Sequence, residues 1–498
     1  MRASSAAARR TLGLLLAGAA CAPQGESLRP SVPAAAAALD VDMDLLPDAA
    51  GGFGGVSLRY CPSGSPPRRL APENRRALPF LISATDDAGR ALPVDDQGVR
   101  TRELRGCARL VLDVSRLADT LADKDLAQRV GDDIVATPDL WLWRPEPFGD
   151  EGRLRLRVQR GTFDAALPWP EDETGSMEVT PATFRLKSDA AFGRFPTEKL
   201  ELLGVHLSVA RLDDGRAPPA LSRWLADSVR AVASIQGAFP TERLNVLVVP
   251  THVSRPIVVG FYSRGGGPTA LFYVGDASAE LVDADLEGTG RWALTHELAH
   301  ALLPPVDGAD AWLNEGIATW YQDLLARRAG LIADDHGYWS ELLRGLRTGR
   351  GRAEEDRLSL AQASQHMRQT GAYQHAYWAG VALALQAEVE ARQQGASLDD
   401  LVRELRRRFP DDDQTRPALA LLAAVSEGKA GVAARALERA FHAHKDQPWP
   451  DVEPTLARLG VSVDPLGTLS LDDQAPLAAV RRAITRPAPG AVPPLAAR

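Results

Sequence analysis

Cysteine is scarce in this chain: three residues in 498, at positions 21, 61 and 107. No two of them form a Cys-x-x-Cys pair, which excludes a zinc site built from thiolates. An excess of positive charge is also missing. The net charge is −8 and the basic residues are scattered. The densest run, Arg406-Arg407-Arg408, closes a predicted helix, where cations complement the helix dipole. A nucleic-acid partner is therefore excluded. Beyond residue 20 no apolar run is long enough to cross a bilayer, and no internal repeat is found. What is present is ordinary for a soluble globular protein, with 45% hydrophobic and 24% charged residues. The length calls for more than one hydrophobic core.

The beginning of the chain reads as an export signal. Arg2, Arg9 and Arg10 precede a short apolar run, Thr11 to Ala20, too short for a mature membrane helix. The stretch Leu16-Ala17-Gly18-Ala19-Ala20-Cys21 resembles a bacterial lipoprotein signal. That resemblance implies a lipid on Cys21 and a membrane-anchored protein facing the periplasm or cell surface. The other reading is ordinary signal-peptidase cleavage near Ala19 or Ala20. Residues 1–21 are thus expected to be a signal peptide, and 22–50, rich in Ala, Pro and Ser, a flexible linker. In an oxidising compartment Cys61 and Cys107 either form one disulfide or remain two buried thiols.

The rest divides by texture. Residues 51–215 carry short alternating runs such as Arg153 to Val158 (RLRLRV) and Leu140-Trp-Leu-Trp143, the pattern of half-exposed strands. They are expected to form a β-rich domain with one helical insert near 115–131. Between 216 and 395 a helical stretch, Leu221 to Gln236, is followed by strand candidates at Leu244–Val249, Ile257–Tyr262 and Ala270–Val274. The pattern is mostly helical from Arg291. Residues 396–482 read as further helices, opened by a capping box of Ser397 and Asp400. Residues 483–498 read as a disordered tail. The expected fold class is α+β.

The chemistry sits in Thr295-His296-Glu297-Leu298-Ala299-His300, within a helix stopped by Pro304-Pro305. Residues four apart share a helix face, so His296 and His300 can present imidazoles to one Zn2+. Glu297 is placed to take a proton from a zinc-bound water. A second segment, Trp312-Leu313-Asn314-Glu315-Gly316, opens another helix, with Asp310 as its expected N-cap. Glu315 lies in an apolar, aromatic stretch where an unpaired carboxylate is costly, and a catalytic zinc takes three protein ligands.

Together these two segments resemble the gluzincin clan, specifically the aminopeptidase N and glycyl aminopeptidase-like families, in which H-E-L-A-H is followed by W-L-N-E-G. The resemblance implies zinc ligands His296, His300 and Glu315, with Glu297 as general base. It also implies a thermolysin-like catalytic domain over 216–395, with helices completing it. A downstream tyrosine in those families stabilises the oxyanion, and Tyr377 in Tyr377-Trp378-Ala379-Gly380 fits, with Tyr373 and His375 as neighbouring substitutes. Two departures stand out. Residues 301–314 form a shorter connection between the second His and the Glu than in aminopeptidase N. The Gly-Ala-Met-Glu-Asn strand that anchors a substrate amino terminus has no counterpart, and the matching edge is expected near Gly265 to Tyr273, which lacks a carboxylate. The implied activity is zinc-dependent hydrolysis of peptide or protein substrates, as exo- or endopeptidase. The alternatives are a catalytically silent surface binding protein on the same fold, or a zinc hydrolase of non-peptide substrates.

Overall fold

The computed structural model describes residues 38–487, apart from 160, 219, 255, 276–289, 411–413 and 465–467. The expected signal peptide, Cys21 and the last eleven residues of the expected tail, 488–498, lie outside the described residues.

The N-terminal part is β-rich. Its largest sheet has six strands, in spatial order Ser176–Val179, Arg153–Gln159, Ala38–Pro47, Phe53–Pro62, Ala108–Leu112 and Leu81–Asp86. Residues 38–47, expected in the linker, are instead a central strand. Leu39, Val41 and Met43 are fully buried and alternate with Asp40, Asp42 and Asp44, the period-two signature of a half-buried strand. The Ala/Pro composition of the preceding stretch masks it. The expected helical insert is shorter than 115–131: the helix is Val114–Leu121, and Ala127–Val130 is a strand. Leu140 to Trp143 is not a strand either. Pro138 starts a short helix, Pro138–Trp141, and both Trp141 and Trp143 are buried in the core of this part. Cys61 and Cys107 are joined as a disulfide, which settles the open question of their state.

A five-stranded sheet follows, in the order Thr197–Leu202, Val205–Arg211, Arg243–Thr251, Thr269–Gly275, Ile257–Ser263. The chain passes through the outermost strand first and turns back at Arg264–Pro268 to place Thr269–Gly275 inside. The expected edge near Gly265 to Tyr273 is therefore corrected: the edge strand is Ile257–Ser263. Burial explains the order. Thr269–Gly275 is almost wholly buried, as a central strand must be, whereas Val258 and Val259 of the edge strand are exposed.

Helices complete the molecule. Leu221–Ala233 packs against this sheet, and the helix Trp292–Ala299 follows, tightening into a 3-10 turn, His300–Leu302. Then come Ala311–Arg328, Asp335–Asp356, Tyr373–Gln393, Leu398–Arg408 and Gly428–His444. Residues 483–485 of the expected tail belong to a last helix, Ala478–Thr485. Among the described residues no helix is long and apolar enough to cross a membrane.

Two devices fix these helices against one another. The first is a buried ionic network: Arg328 bonds both carboxylate oxygens of Asp399, at 3.0 and 2.9 Å, and the carbonyl of Ile484 at 2.8 Å. Tyr321 donates to the same Asp399 at 3.0 Å. Every charge in it is paired, as burial requires. The second is a close backbone crossing. A Cβ on Gly316 would stand 2.6 Å from Cα of Gly380, and one on Gly380 would strike the carbonyl oxygen of Trp312. Only two glycines allow the helices Ala311–Arg328 and Tyr373–Gln393 to meet at this depth. Gly316→Ala is expected to force them apart and lower stability by about 1–3 kcal/mol, read as a fall in the urea midpoint at unchanged m-value.

Candidate metal centre

The helix Trp292–Ala299 and the 3-10 turn that continues it supply the first two functional side chains. The inner face of the helix packs into the main core through Leu294 and Leu298, which turns His296 and His300 together toward the neighbouring helix Ala311–Arg328. Their rings are 5.1 Å apart and nearly perpendicular. Glu315, in the first turns of that neighbour, lies between them. Its Oε2 is 3.4 Å from Nε2 of His296 and 3.5 Å from Nε2 of His300, and the three donor atoms all fall within 4.8 Å of one another. The structure thus brings together the three residues expected as metal ligands.

The short connection between the second His and the Glu is held from its own end. Asp310 stands at the N-cap of that helix, as expected, but its side chain makes no capping hydrogen bond. Its Oδ1 instead accepts from the Trp312 indole at 3.2 Å and its Oδ2 from the amide of Ala418 at 2.7 Å. The Trp312 amide is satisfied by Ser364 at 3.0 Å. The cap residue has been turned into a strut between two helices.

Glu297 emerges beside the cluster and meets the edge strand. A Cβ on Gly260 would stand 2.5 Å from Cγ of Glu297 and 2.7 Å from the Phe272 ring, so a glycine is what lets this strand lie against the glutamate. The Tyr262 amide lowers the Glu297 carboxyl, though by less than burial raises it. Tyr377 enters from the helix Tyr373–Gln393, its ring stacked 5.7 Å from that of His296, and its phenol feels the charge of Glu315. The adjacent Trp378 sits over Gly345 and Gly349 of Asp335–Asp356, which leaves Tyr377 to face the cluster. Of the expected substitutes, Tyr373 is half exposed and edge-on to Tyr377 at 6.5 Å. His375 faces away, with Nε2 2.7 Å from the Pro448 carbonyl.

The electrostatics follow from burial among opposite charges. Burial raises the Glu315 carboxyl, but His300 and then His296 overcome it and hold it well below the usual carboxylate range. Burial also raises Glu297, and here His296, His300 and the Tyr262 amide offset it only in part. Burial disfavours the His296 cation, yet Glu315 and Glu297 prevail and raise its pKa. The Tyr377 phenol, pushed well above its ordinary value by burial and then by Glu315 and Glu297, stays protonated at neutral pH as a hydrogen-bond donor.

Three residues around the cluster were missed from sequence. Gln322 Oε1 lies 3.2 Å from Nδ1 of His296; its spacing of seven from Glu315 on one helix face was a legible signal. The Tyr262 ring stacks on His300 at 6.4 Å. Arg264 caps the carbonyls of His300 and Leu303, the latter at 3.0 Å, and lies over the Tyr262 ring at 5.0 Å. Its neighbours carry no sequence signal for either contact, since both depend on the turn after the edge strand.

No family sequence model and no curated protein sequence matches the chain. Solved structures do. An aminopeptidase N family protein from Idiomarina loihiensis superposes with a TM-score of 0.62 over 88% of this chain and 82% of its own, at 16% identity. An M1 zinc metallopeptidase from Deinococcus radiodurans gives 0.45 over 81% and 92%, at 18% identity. Yeast LTA4 hydrolase gives 0.44 over 80% and 66%, at 11% identity. The last two scores are too low to carry weight. At such identities the likeness is one of fold: a β-rich region followed by a mostly helical part, similar to that of the aminopeptidase N family protein.

Proposed function

We propose that the chain is a zinc-dependent peptidase whose metal is held by His296, His300 and Glu315. The observation that carries this is the spacing of the donors. A tetrahedral ion with bonds of about 2.0–2.1 Å needs donor atoms about 3.3–3.4 Å apart. The two Nε2–Oε2 separations are 3.4 and 3.5 Å. The donor set, two neutral imidazoles and one ionised carboxylate, also suits zinc chemically. A zinc ion bound there supplies a Lewis acid that polarises a carbonyl and acidifies a water.

The remaining work falls to the chain's own side chains. Glu297, with its raised pKa, accepts a proton from the attacking water and passes it to the amine nitrogen as the C–N bond breaks. Tyr377 donates its phenolic hydrogen to the oxyanion that develops on the former carbonyl. The open side of the edge strand Ile257–Ser263 passes the Glu297 carboxylate and can pair with an extended peptide. No carboxylate stands on that strand, so the reading is a peptidase with exo- or endo-action undecided. An oxidised Cys61–Cys107 pair supports an exported enzyme, tethered in this proposal through a lipid on Cys21.

A mixed peptide library analysed by mass spectrometry tests the activity. Zinc-loaded protein is expected to give products that the Glu297→Gln form does not, with zinc content unchanged. Amino-terminal single-residue losses would define an aminopeptidase, internal cuts an endopeptidase. Equal cleavage by Glu297→Gln would remove Glu297 as the base. Glu315→Ala is expected to lose zinc on dialysis, which retention of one zinc per chain would contradict. Tyr377→Phe is expected to lower kcat by about 10²–10³ with little change in KM. An unchanged kcat would leave Tyr377 a packing residue.

A further inference from the structure

We infer that Gln322 is a positioning residue for the metal: with Asp323 it forms a neutral relay that fixes the tautomer of His296. The inference rests on the zinc reading above.

His296 points Nε2 at Glu315, so Nε2 is the atom that must keep its lone pair for the metal. A neutral imidazole then carries its proton on Nδ1. That proton is buried, since His296 is 3% exposed, and needs an acceptor. Two candidates face Nδ1: Gln322 Oε1 at 3.2 Å and Thr319 Oγ1 at 3.5 Å. The amide oxygen is the nearer of the two. The hydroxyl, at the limit of a hydrogen bond, adds little.

An amide can turn its nitrogen toward the ring instead, and Asp323 prevents this. The Gln322 Nε2 group donates to Asp323 Oδ2 at 3.2 Å, with Gln322 6% and Asp323 9% exposed. Rotating the amide by half a turn would set its N–H against the Nδ1–H and its oxygen against a carboxylate, two repulsions in a desolvated place. The order Asp323, Gln322, His296 therefore has one direction: the carboxylate orients the amide and the amide orients the imidazole.

The helix Ala311–Arg328 supplies both ends of this arrangement. Glu315, Thr319 and Gln322 stand at intervals of four and three, on one face. One rigid element thus carries a metal ligand and the group that aims another ligand. Metal-binding histidines usually direct the second ring nitrogen to a carboxylate, a backbone carbonyl or water. A side-chain amide here gives the orientation without a third negative charge beside Glu315 and Glu297, and keeps the Asp323 charge one residue further away.

Zinc affinity, measured by competition with a chromophoric chelator on the full-length protein, tests this without recourse to activity. Gln322→Leu keeps the bulk and removes the acceptor. It is expected to weaken zinc binding by about 10- to 100-fold, with the thermal midpoint of the zinc-free protein unchanged. Gln322→Glu restores an acceptor and is expected to bind within a few fold of the parent. It is also the readout should the leucine form fail to fold. Parental affinity in Gln322→Leu would overturn the inference, as would Gln322→Glu losing 10-fold or more. Failure of the parent to bind zinc would instead overturn the metal reading beneath it.

Discussion

The centre depends on how closely two helix backbones approach. Where Ala311–Arg328 crosses Tyr373–Gln393, Gly316 and Gly380 leave no room for a Cβ. Glu315 precedes the first glycine and Tyr377 lies one turn before the second. Both side chains reach the His296 imidazole because the backbones touch at that point. The adjacent packing serves the same end. Trp378 fills the groove at Gly345 and Gly349, and the Arg328–Asp399 bonds tie the far end of the glutamate helix to the helix that follows Tyr373–Gln393. A third missing Cβ, at Gly260, brings the edge strand against Glu297.

Electrostatics then follow from geometry. Two carboxylates and two imidazoles share one desolvated place, and their pKa values separate because their neighbours differ. Glu315 sits between both rings and is held ionised; Glu297 is raised by burial that its neighbours offset only in part. One carboxylate is thereby fitted to hold a cation and the other to move a proton, a division that environment alone can impose on identical side chains. The stacking of Tyr262 on His300 and of Tyr377 on His296 restrains both rings without adding charge.

Much of this was legible in the sequence, for identifiable reasons. Spacing of four puts His296 and His300 on one helix face, and period-two alternation marks Arg153–Gln159 as a strand. Both are local patterns that depend on nothing distant. The failures came where local pattern met a non-local cause. Leu39, Val41 and Met43 alternate as clearly, but lie in a stretch whose composition resembles a tether. Trp141 and Trp143 alternate without forming a strand, because Pro138 starts a helix ahead of them. The sheet edge was misplaced because strand order is set by the return of the chain at Arg264–Pro268. Asp310 does stand at the cap position its residue type suggests, but its carboxylate accepts from the distant Ala418 amide and not from the helix's own first amides. Gln322 was missed although its spacing was visible, since an amide attracts notice only once an imidazole is found beside it.

X-ray absorption at the zinc edge of the purified, zinc-loaded protein tests the central claim most directly. The account predicts one zinc per chain, with only nitrogen and oxygen neighbours at about 2.0–2.2 Å and the multiple-scattering signature of two imidazoles, one of which disappears in His300→Ala. A sulfur neighbour at about 2.3 Å, or a spectrum that His300→Ala leaves unchanged, would place the metal elsewhere and contradict it.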